Sequence, residues 1–100
     1  MAGKYRVNIQ KGTNGLGAEV RREAISGLQI LLGIKPNFPN GDEESKADFQ
    51  FDDQRVQVYT LNPEYFCVNA KRVNDPSEVE RTLLTIAQGY EGLVQVESYS

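Results

Sequence analysis

The sequence predicts one two-layer α+β domain, in which two helices pack on one face of a mainly antiparallel sheet in the order βαβββαβ. Three observations support this class. Short segments alternate apolar and polar residues, two longer segments carry apolar residues at helical spacing, and three strand-like segments follow one another through short joins. The chain has 100 residues, of which 39% are hydrophobic and 25% charged. These values are typical of a single globular domain, which we expect to span residues 1–100.

The first strand and the first helix are separated by a glycine-bearing turn. Residues 4–10 predict a half-buried strand, because apolar and polar side chains alternate along them. Its inward side consists of Tyr5, Val7 and Ile9. Residues 16–32 predict a helix that Gly33 ends, with Gly27 inside it as a sign of close packing against the sheet. The apolar stripe of this helix consists of Val20, Ala24, Leu28 and Leu31.

The middle of the chain predicts a loop and then a meander. The loop is expected to be exposed over residues 35–47, which contain two prolines, an Asn-Gly step and an acidic run. Three strand-like segments follow, at residues 48–52, 55–61 and 65–73. The joins at residues 52–54 and 62–63 are short enough for tight turns, so the segments predict a three-stranded meander.

The clearest local signal in the sequence starts the second helix. Asp75 can cap the helix, Pro76 suits its first position, and Glu78 can close a capping box. The apolar stripe that follows consists of Val79, Leu83, Ile86, Ala87 and Tyr90. We expect Gly89 to end this helix.

Residues 93–99 predict the final strand, with Val94 and Val96 facing the helices. The resulting order resembles the ferredoxin-like split-βαβ plan with one additional short strand. Proteins of many unrelated functions share that plan, so the resemblance implies a fold and no particular activity.

The residue types present exclude whole classes of chemistry. The chain has no histidine, which excludes Ser-His-Asp and Cys-His nucleophile pairs and the common zinc and non-haem iron sites. Cys67 is the single cysteine, and it lies within a predicted strand with no base nearby, so packing is favoured over nucleophilic chemistry. The carboxylates at residues 42–44 and 52–53 fall in polar segments and are expected to be solvated. We therefore expect no enzyme, no metal site and no cofactor.

The charge distribution bears on partners and on location. A net charge of −3 argues against a broad nucleic-acid surface, which needs clustered positive charge. Basic residues nevertheless dominate up to Lys35 and acidic residues from Pro36 onward, a polarity that can favour a partner or a local anion site. The sequence contains no run long and apolar enough for a membrane span, and residues 1–10 lack the apolar stretch of a signal peptide. The expected location is the cytoplasm.

The turn before the first helix is a candidate anion site. A glycine-bearing strand-to-helix turn can point backbone N–H groups at phosphate, and the helix dipole adds attraction. The candidate residues are Lys11, Gly12, Gly15, Gly17, Arg21 and Arg22. Both arginines are expected to lie off the apolar stripe of the helix. The spacing matches neither the dinucleotide fingerprint nor the P-loop, and a turn that needs positive φ explains the same glycines.

The strand faces that point away from the helices form the main candidate interaction surface. Its predicted residues are Arg6, Asn8, Gln57, Tyr59, Tyr65, Cys67, Asn69 and Tyr99. Tyrosine, arginine and amide side chains are typical of protein interfaces. We therefore predict a small non-enzymatic binding or adaptor protein that contacts a protein partner and self-associates, as a homodimer, through this face or an edge strand.

Three alternatives remain open for the function. The glycine turn at residues 11–17 and the basic start of the first helix would serve a protein that binds nucleotide or phosphate. The sheet could stack single-stranded RNA bases as RRM sheets do, although the aromatic pattern differs. An enzyme that uses only carboxylate, lysine or tyrosine chemistry has less support. The strand faces that point away from the helices could also be exposed to solvent without any binding role, as one face of an antiparallel sheet often is.

Overall fold

The computed structural model describes residues 3–12, 15–38, 48–51, 55–62 and 65–99. Within these ranges the chain forms six strands and two helices. The strands are β1 (Gly3–Ile9), β2 (Pro36–Asn37), β3 (Phe49–Phe51), β4 (Val56–Asn62), β5 (Tyr65–Ala70) and β6 (Val94–Tyr99). The helices are α1 (Leu16–Leu32) and α2 (Pro76–Gln88).

The strands form one antiparallel sheet in the order β2-β3-β4-β5-β1-β6. β1 lies between β5 and β6, the two strands that α2 connects. Both helices pack on the same face of the sheet, so the predicted two-layer α+β class is confirmed. The ferredoxin-like arrangement within this class remains a prediction. The observed order contains one strand more than the predicted order βαβββαβ.

The additional strand is β2, which lies inside the loop predicted at residues 35–47. Its pairs are Pro36–Phe51 and Asn37–Gln50. The ring of Phe38 packs on Phe49, with 5.7 Å between the ring centroids, and this contact holds the segment against the sheet. An edge strand also tolerates the missing N–H of a proline. The loop prediction is therefore wrong for β2. The rest of the loop, residues 39–47, and the predicted turns at residues 52–54 and after Asn62 lie outside the described residues.

Glycines in left-handed backbone flank α1. Gly15 precedes the helix at a φ of 77°, and Gly33 follows it at a φ of 72° while donating its N–H to the Gln29 carbonyl. A side chain would be strained at either position, because this region of φ disfavours residues with a Cβ. The predicted stop at Gly33 is confirmed, as are the bounds of the helix.

Gly27 lies where α1 meets α2. A Cβ at this position would stand 2.9 Å from Cγ2 of Thr82 and 3.6 Å from Cδ1 of Ile86. The predicted close packing is present, but the prediction that the sheet is its partner is wrong. A second contact joins the helix layer, because the hydroxyl of Tyr90 donates to the carboxylate of Glu23. Desolvation and this hydrogen bond raise the pKa of the Tyr90 phenol.

The start of α2 confirms the predicted cap. The carboxylate of Asp75 accepts hydrogen bonds from the backbone N–H of Ser77 at 3.0 Å and from its hydroxyl at 2.6 Å. Pro76 occupies the first turn. The two hydrogen bonds from Ser77 lower the pKa of the Asp75 carboxyl. The reciprocal contact of Glu78 that would complete a capping box remains a prediction. The helix ends at Gln88, directly before Gly89.

The core lies between the helices and the side of the sheet that they cover, called here the covered face. Its largest fully buried side chains are Phe49, Phe51, Leu28, Val20, Val56, Val58, Val68 and Val79. Tyr5 of β1 is also buried, and its hydroxyl donates to the Pro76 carbonyl at 2.9 Å, which links β1 to the start of α2. Burial raises the pKa of this phenol, with smaller effects from the carboxylates of Glu80 and Asp75.

Candidate functional site

The side of the sheet opposite the helices, called here the open face, carries the polar residues of each strand. β1 presents Arg6 and Asn8, and the neighbouring strands β4 and β5 present Gln57, Tyr59, Tyr65, Cys67 and Asn69. All seven side chains are half-buried. Seven of the eight residues predicted for the interaction surface therefore share one face. The side chain of the eighth, Tyr99, lies outside the described part of the chain, although its backbone pairs with Lys4.

The register of the strands aligns these residues in rows across the sheet. One row consists of Tyr59, Cys67, Arg6 and Glu97. A second row, rich in amides, consists of Asn37, Gln50, Gln57, Asn69 and Lys4. Side chains directly opposite one another on a sheet face lie about 5 Å apart at Cβ, so each row is a continuous surface.

Four members of these rows were missed by the sequence analysis: Asn37, Gln50, Lys4 and Glu97. The signal for Gln50 was present, since it stands between the buried Phe49 and Phe51. The same alternation could have identified Lys4 and Glu97. Asn37 could not be found in this way, because it falls in a segment whose composition predicts a loop.

Arg6 of β1 and Tyr65 of β5 form a stacked pair on two adjacent interior strands of the open face. The guanidinium carbon of Arg6 lies 3.8 Å from the centroid of the Tyr65 ring. Tyr65 is opposite Asn8 rather than Arg6, so the contact runs diagonally between β1 and β5, within reach of such long side chains. The Nε atom of Arg6 is buried and has no hydrogen-bond partner among the described residues. A cation–π contact of this kind contributes roughly 0.5–2 kcal/mol and holds the guanidinium in one orientation.

The tyrosine of β4 is oriented by its own strand. The hydroxyl of Tyr59 donates to Oε1 of Gln57, its neighbour on the same face. Tyr59 lies directly opposite Cys67, and Tyr65 is the next residue of β5 on that face. The structure thus brings the two tyrosines and Cys67 together on the neighbouring strands β4 and β5 of the open face. Beside these residues, β1 adds the cations Lys4 and Arg6, and Glu97 of β6 lies directly opposite Arg6.

The structure separates the residues predicted for anion binding. Gly12 and Gly15 have φ values of 87° and 77°, with open space beside both, so the need for positive φ explains these glycines. Lys11 and Arg22 are exposed near the turn, and Gly17 lies in the first turn of α1. The two residues at 13–14 lie outside the described ranges.

Arg21 belongs to the core and not to the surface of the turn. Only 5% of this residue is exposed. Its guanidinium lies 5.0 Å from the ring centroid of Phe49 and 5.9 Å from that of Phe38. The expectation that it lies off the apolar stripe is wrong. One turn later the buried Ile25 follows it at i+4, and that spacing places both on the covered side of α1.

A polar cleft of about 300 Å³ lies between the end of α1 and the start of α2. Its charged lining residues are Arg55, Arg72, Asp75 and Glu78. Two cations and two carboxylates share the cleft, so their fields oppose one another and favour neither an anionic nor a cationic ligand. The open face remains the better candidate for a functional site.

Neither helix of the described ranges is long and apolar enough to cross a membrane. In the same part of the chain, no group of three or more cysteine, aspartate or glutamate residues could hold a metal ion. Comparison with models of protein families, with curated proteins and with solved structures finds no match for this chain. The interpretation of the open face therefore rests on its own chemistry.

Proposed function

We propose that this chain is a small non-enzymatic binding protein that contacts a protein partner through the open face of its sheet. The observation that carries the proposal is the stack of Arg6 on Tyr65, 3.8 Å from guanidinium carbon to ring centroid, on the adjacent interior strands β1 and β5 of that face. Arginine and tyrosine are the residue types that dominate the energy of protein interfaces when they lie centrally. Asn8, which lies directly opposite Tyr65, and Tyr59 supply polar contacts next to the stack.

The proposed partner presents a carboxylate at the centre of its contact surface. β1 carries two cations on this face, Lys4 and Arg6. Glu97 of the edge strand β6 lies directly opposite Arg6 and offsets part of this charge, so the two rows keep a net positive charge. The guanidinium of Arg6 is already ordered by the Tyr65 ring, so less side-chain entropy is lost when it binds. Its planar donor fork matches a carboxylate, which it can bind through two parallel hydrogen bonds.

The alternatives have less support from the structure. A phosphate site at the glycine turn would lack Arg21 as a ligand, because this side chain of α1 packs against the rings of Phe38 and Phe49. Single-stranded RNA carries one phosphate per nucleotide and needs a row of cations along its backbone. Lys4 and Arg6 are the two cations of the rows described above, in a chain of net charge −3, which suits one carboxylate better than a series of phosphates. A homodimer centred on the stack would bring the cations of two copies together at the two-fold axis. As part of the proposal we place the protein in the cytoplasm, where a single cysteine suits the reducing conditions.

Selection from a random peptide library displayed on phage tests the proposal. The selected peptides are expected to carry Asp or Glu and to bind the unmodified protein and the Gln50→Ala variant equally. Gln50 is the matched control, because it lies on the same face but away from the stack. Arg6→Gln and Tyr65→Ala are each expected to weaken binding about tenfold, with circular dichroism showing that both variants fold. Peptides that lack acidic residues, or that bind Arg6→Gln as tightly, would contradict the proposal, as would a selection that enriches nothing over that variant.

A further inference from the structure

The two edges of the sheet differ in their protection. β2 forms one edge with only two residues, one of them proline, whereas β6 forms the other with six residues and no proline. Proteins usually protect a long edge strand with proline, lysine, a bulge or a covering segment, because its free backbone groups can pair with another chain. Among the described residues no strand pairs with the outer side of β6, and its one charged side chain is Glu97.

The hydrogen bonds show which groups of β6 face outward. The N–H of Gln10 donates to the carbonyl of Leu93 at 2.8 Å, and these residues continue the register of β1 and β6. In an antiparallel ladder, alternate residues bond to the same neighbour. Gln95 and Glu97 therefore bond to β1 in the same way as Leu93. The residues whose N–H and C=O groups point to the free edge are Val94, Val96 and Ser98.

α2 carries an exposed apolar side chain on its flank away from α1. α2 packs on β6 and β1, and its residues Thr82 and Ile86 face α1 at Gly27. With 3.6 residues per turn, Leu84 lies about 200° around the helix from Thr82 and thus on the flank away from α1. Leu84 is 40% exposed and is one of the large hydrophobic residues at the surface.

We propose that β6 pairs with β6 of a second copy of this chain about a two-fold axis perpendicular to the sheet. The two six-stranded sheets then form one continuous antiparallel sheet. A two-fold contact needs a surface that is complementary to itself, and an antiparallel edge meets this requirement through its alternating donors and acceptors.

The register of the pairing follows from the outward residues and the charge. When Val96 lies opposite Val96 of the second copy, Val94 lies opposite Ser98, and all three outward residues of each strand are bonded. Glu97 then lies opposite Gln95. Moving the two-fold axis from Val96 to Glu97 shifts the paired strands by two residues and places Glu97 opposite Glu97 of the second copy. This register is unfavourable because like charges face each other. A shift in the other direction leaves Ser98 beyond the paired region.

This register also covers the exposed Leu84. The two-fold axis lies midway between the two copies of β6. Strands are about 4.8 Å apart, so an α2 helix above the boundary of β6 and β1 lies about 5 Å from this axis. The α2 helices of the two copies are then about 10 Å apart, which is the distance of packed helices. Leu84 lies in the seam between them. The open faces of the two copies remain uncovered and lie side by side, so the dimer would present two Arg6–Tyr65 stacks to a partner.

Sedimentation equilibrium of the whole chain over a range of concentrations tests this inference. We expect a monomer–dimer equilibrium for the unmodified protein. Ser98→Pro removes an outward N–H that is not bonded to β1, so it is expected to weaken the dimer at least tenfold without unfolding the chain. Ser98→Ala keeps that N–H and is the matched control, with an unchanged dimer. A monomer at all concentrations, or equal dimers for both variants, would overturn the proposal.

Two further variants test the register and the surface. Gln95→Lys is expected to strengthen the dimer, because lysine would face Glu97 of the second copy; a weaker dimer overturns the register. Arg6→Gln is expected to leave the dimer unchanged, which separates this inference from the proposed function of the open face. A dimer that is insensitive to Ser98→Pro and dissociates with Tyr59→Glu and Tyr65→Glu overturns edge pairing in favour of face-to-face association.

Discussion

The covered and open faces of the sheet are built from alternate residues of the same strands. Val58 of β4 has no exposed surface beneath the helices, whereas its neighbours Gln57 and Tyr59 are half-buried on the other side. The strand period of two therefore places residues that determine stability next to residues available for recognition. Substitutions on one face can be expected to leave the other intact.

Each face also places an arginine over an aromatic ring, but in different surroundings. On the covered side, Arg21 lies 5.0 Å from the Phe49 ring centroid and is enclosed by the core. On the open face, Arg6 lies 3.8 Å from the Tyr65 centroid and stays partly accessible. The same pairing thus contributes to packing at one site and remains available for binding at the other, and burial makes the difference.

The largest expected effect comes from adjacent residues of β3. Phe49→Ala should lower the free energy of unfolding by about 3–5 kcal/mol, because it removes a ring that is 1% exposed. Gln50→Ala, on the open face, should change it by less than about 0.5 kcal/mol. Urea denaturation of both variants measures the difference. If both variants lost a similar free energy of unfolding, the covered and open faces would not differ in their contribution to stability.

The neighbouring arginines of α1 should also differ. Arg21→Ala is expected to cost about 1–3 kcal/mol, because the stem and guanidinium of a buried residue lose their packing. Arg22→Ala, at an exposed position, should stay within about 0.5 kcal/mol. Thermal and urea unfolding measure both values. If Arg22→Ala were the more destabilising change, the assignment of Arg21 to the core would be wrong.

The contact between the helices of the covering layer can be tested at Gly27. In an exposed helix Gly→Ala stabilises by about 1 kcal/mol, but here the new Cβ would meet Cγ2 of Thr82 at 2.9 Å. Gly27→Ala combined with Thr82→Ser should therefore be more stable than Gly27→Ala alone by about 1 kcal/mol. Thr82→Ser keeps the hydroxyl that donates to the Glu78 carbonyl and is the control. If Gly27→Ala alone raised the stability by the full amount expected in an exposed helix, the close approach of residue 27 to Thr82 would be contradicted.

The smallest effect is expected at the cap of α2, which belongs to neither face of the sheet. Hydrogen bonds from Ser77 lower the pKa of Asp75 in the folded state. The cap therefore contributes fully above the unfolded pKa of about 3.9, and the contribution is lost as pH falls through the lower folded value. Asp75→Ala should lower the melting temperature slightly at neutral pH, and the difference from the unmodified protein should close in acid. A difference independent of pH would argue against the charged cap.

Much of the fold could be predicted because its determinants are local. The bounds of α1, its stop at Gly33 and the start of α2 at Asp75 follow from interactions within one or two turns. Seven of the eight residues assigned to the interaction surface share the open face for the same reason, because alternation along a strand is independent of its neighbours. The missed residue Asn37 is the counterexample, since its strand is defined by pairing with β3, which is distant in sequence, and is accompanied by the contact of Phe38 with Phe49.

The amino-acid sequence by itself determined the class of the fold, the two amphipathic helices and most of the side chains that face away from them on the predicted strands. Only the tertiary structure decided that Arg21 enters the core, that Gly27 contacts Thr82 of α2, and that Arg6 stacks on Tyr65. The tertiary structure also placed β6 at the edge of the sheet. The reason is physical: periodicity and capping act between residues close along the chain, whereas strand order, register and helix packing join residues far apart in sequence.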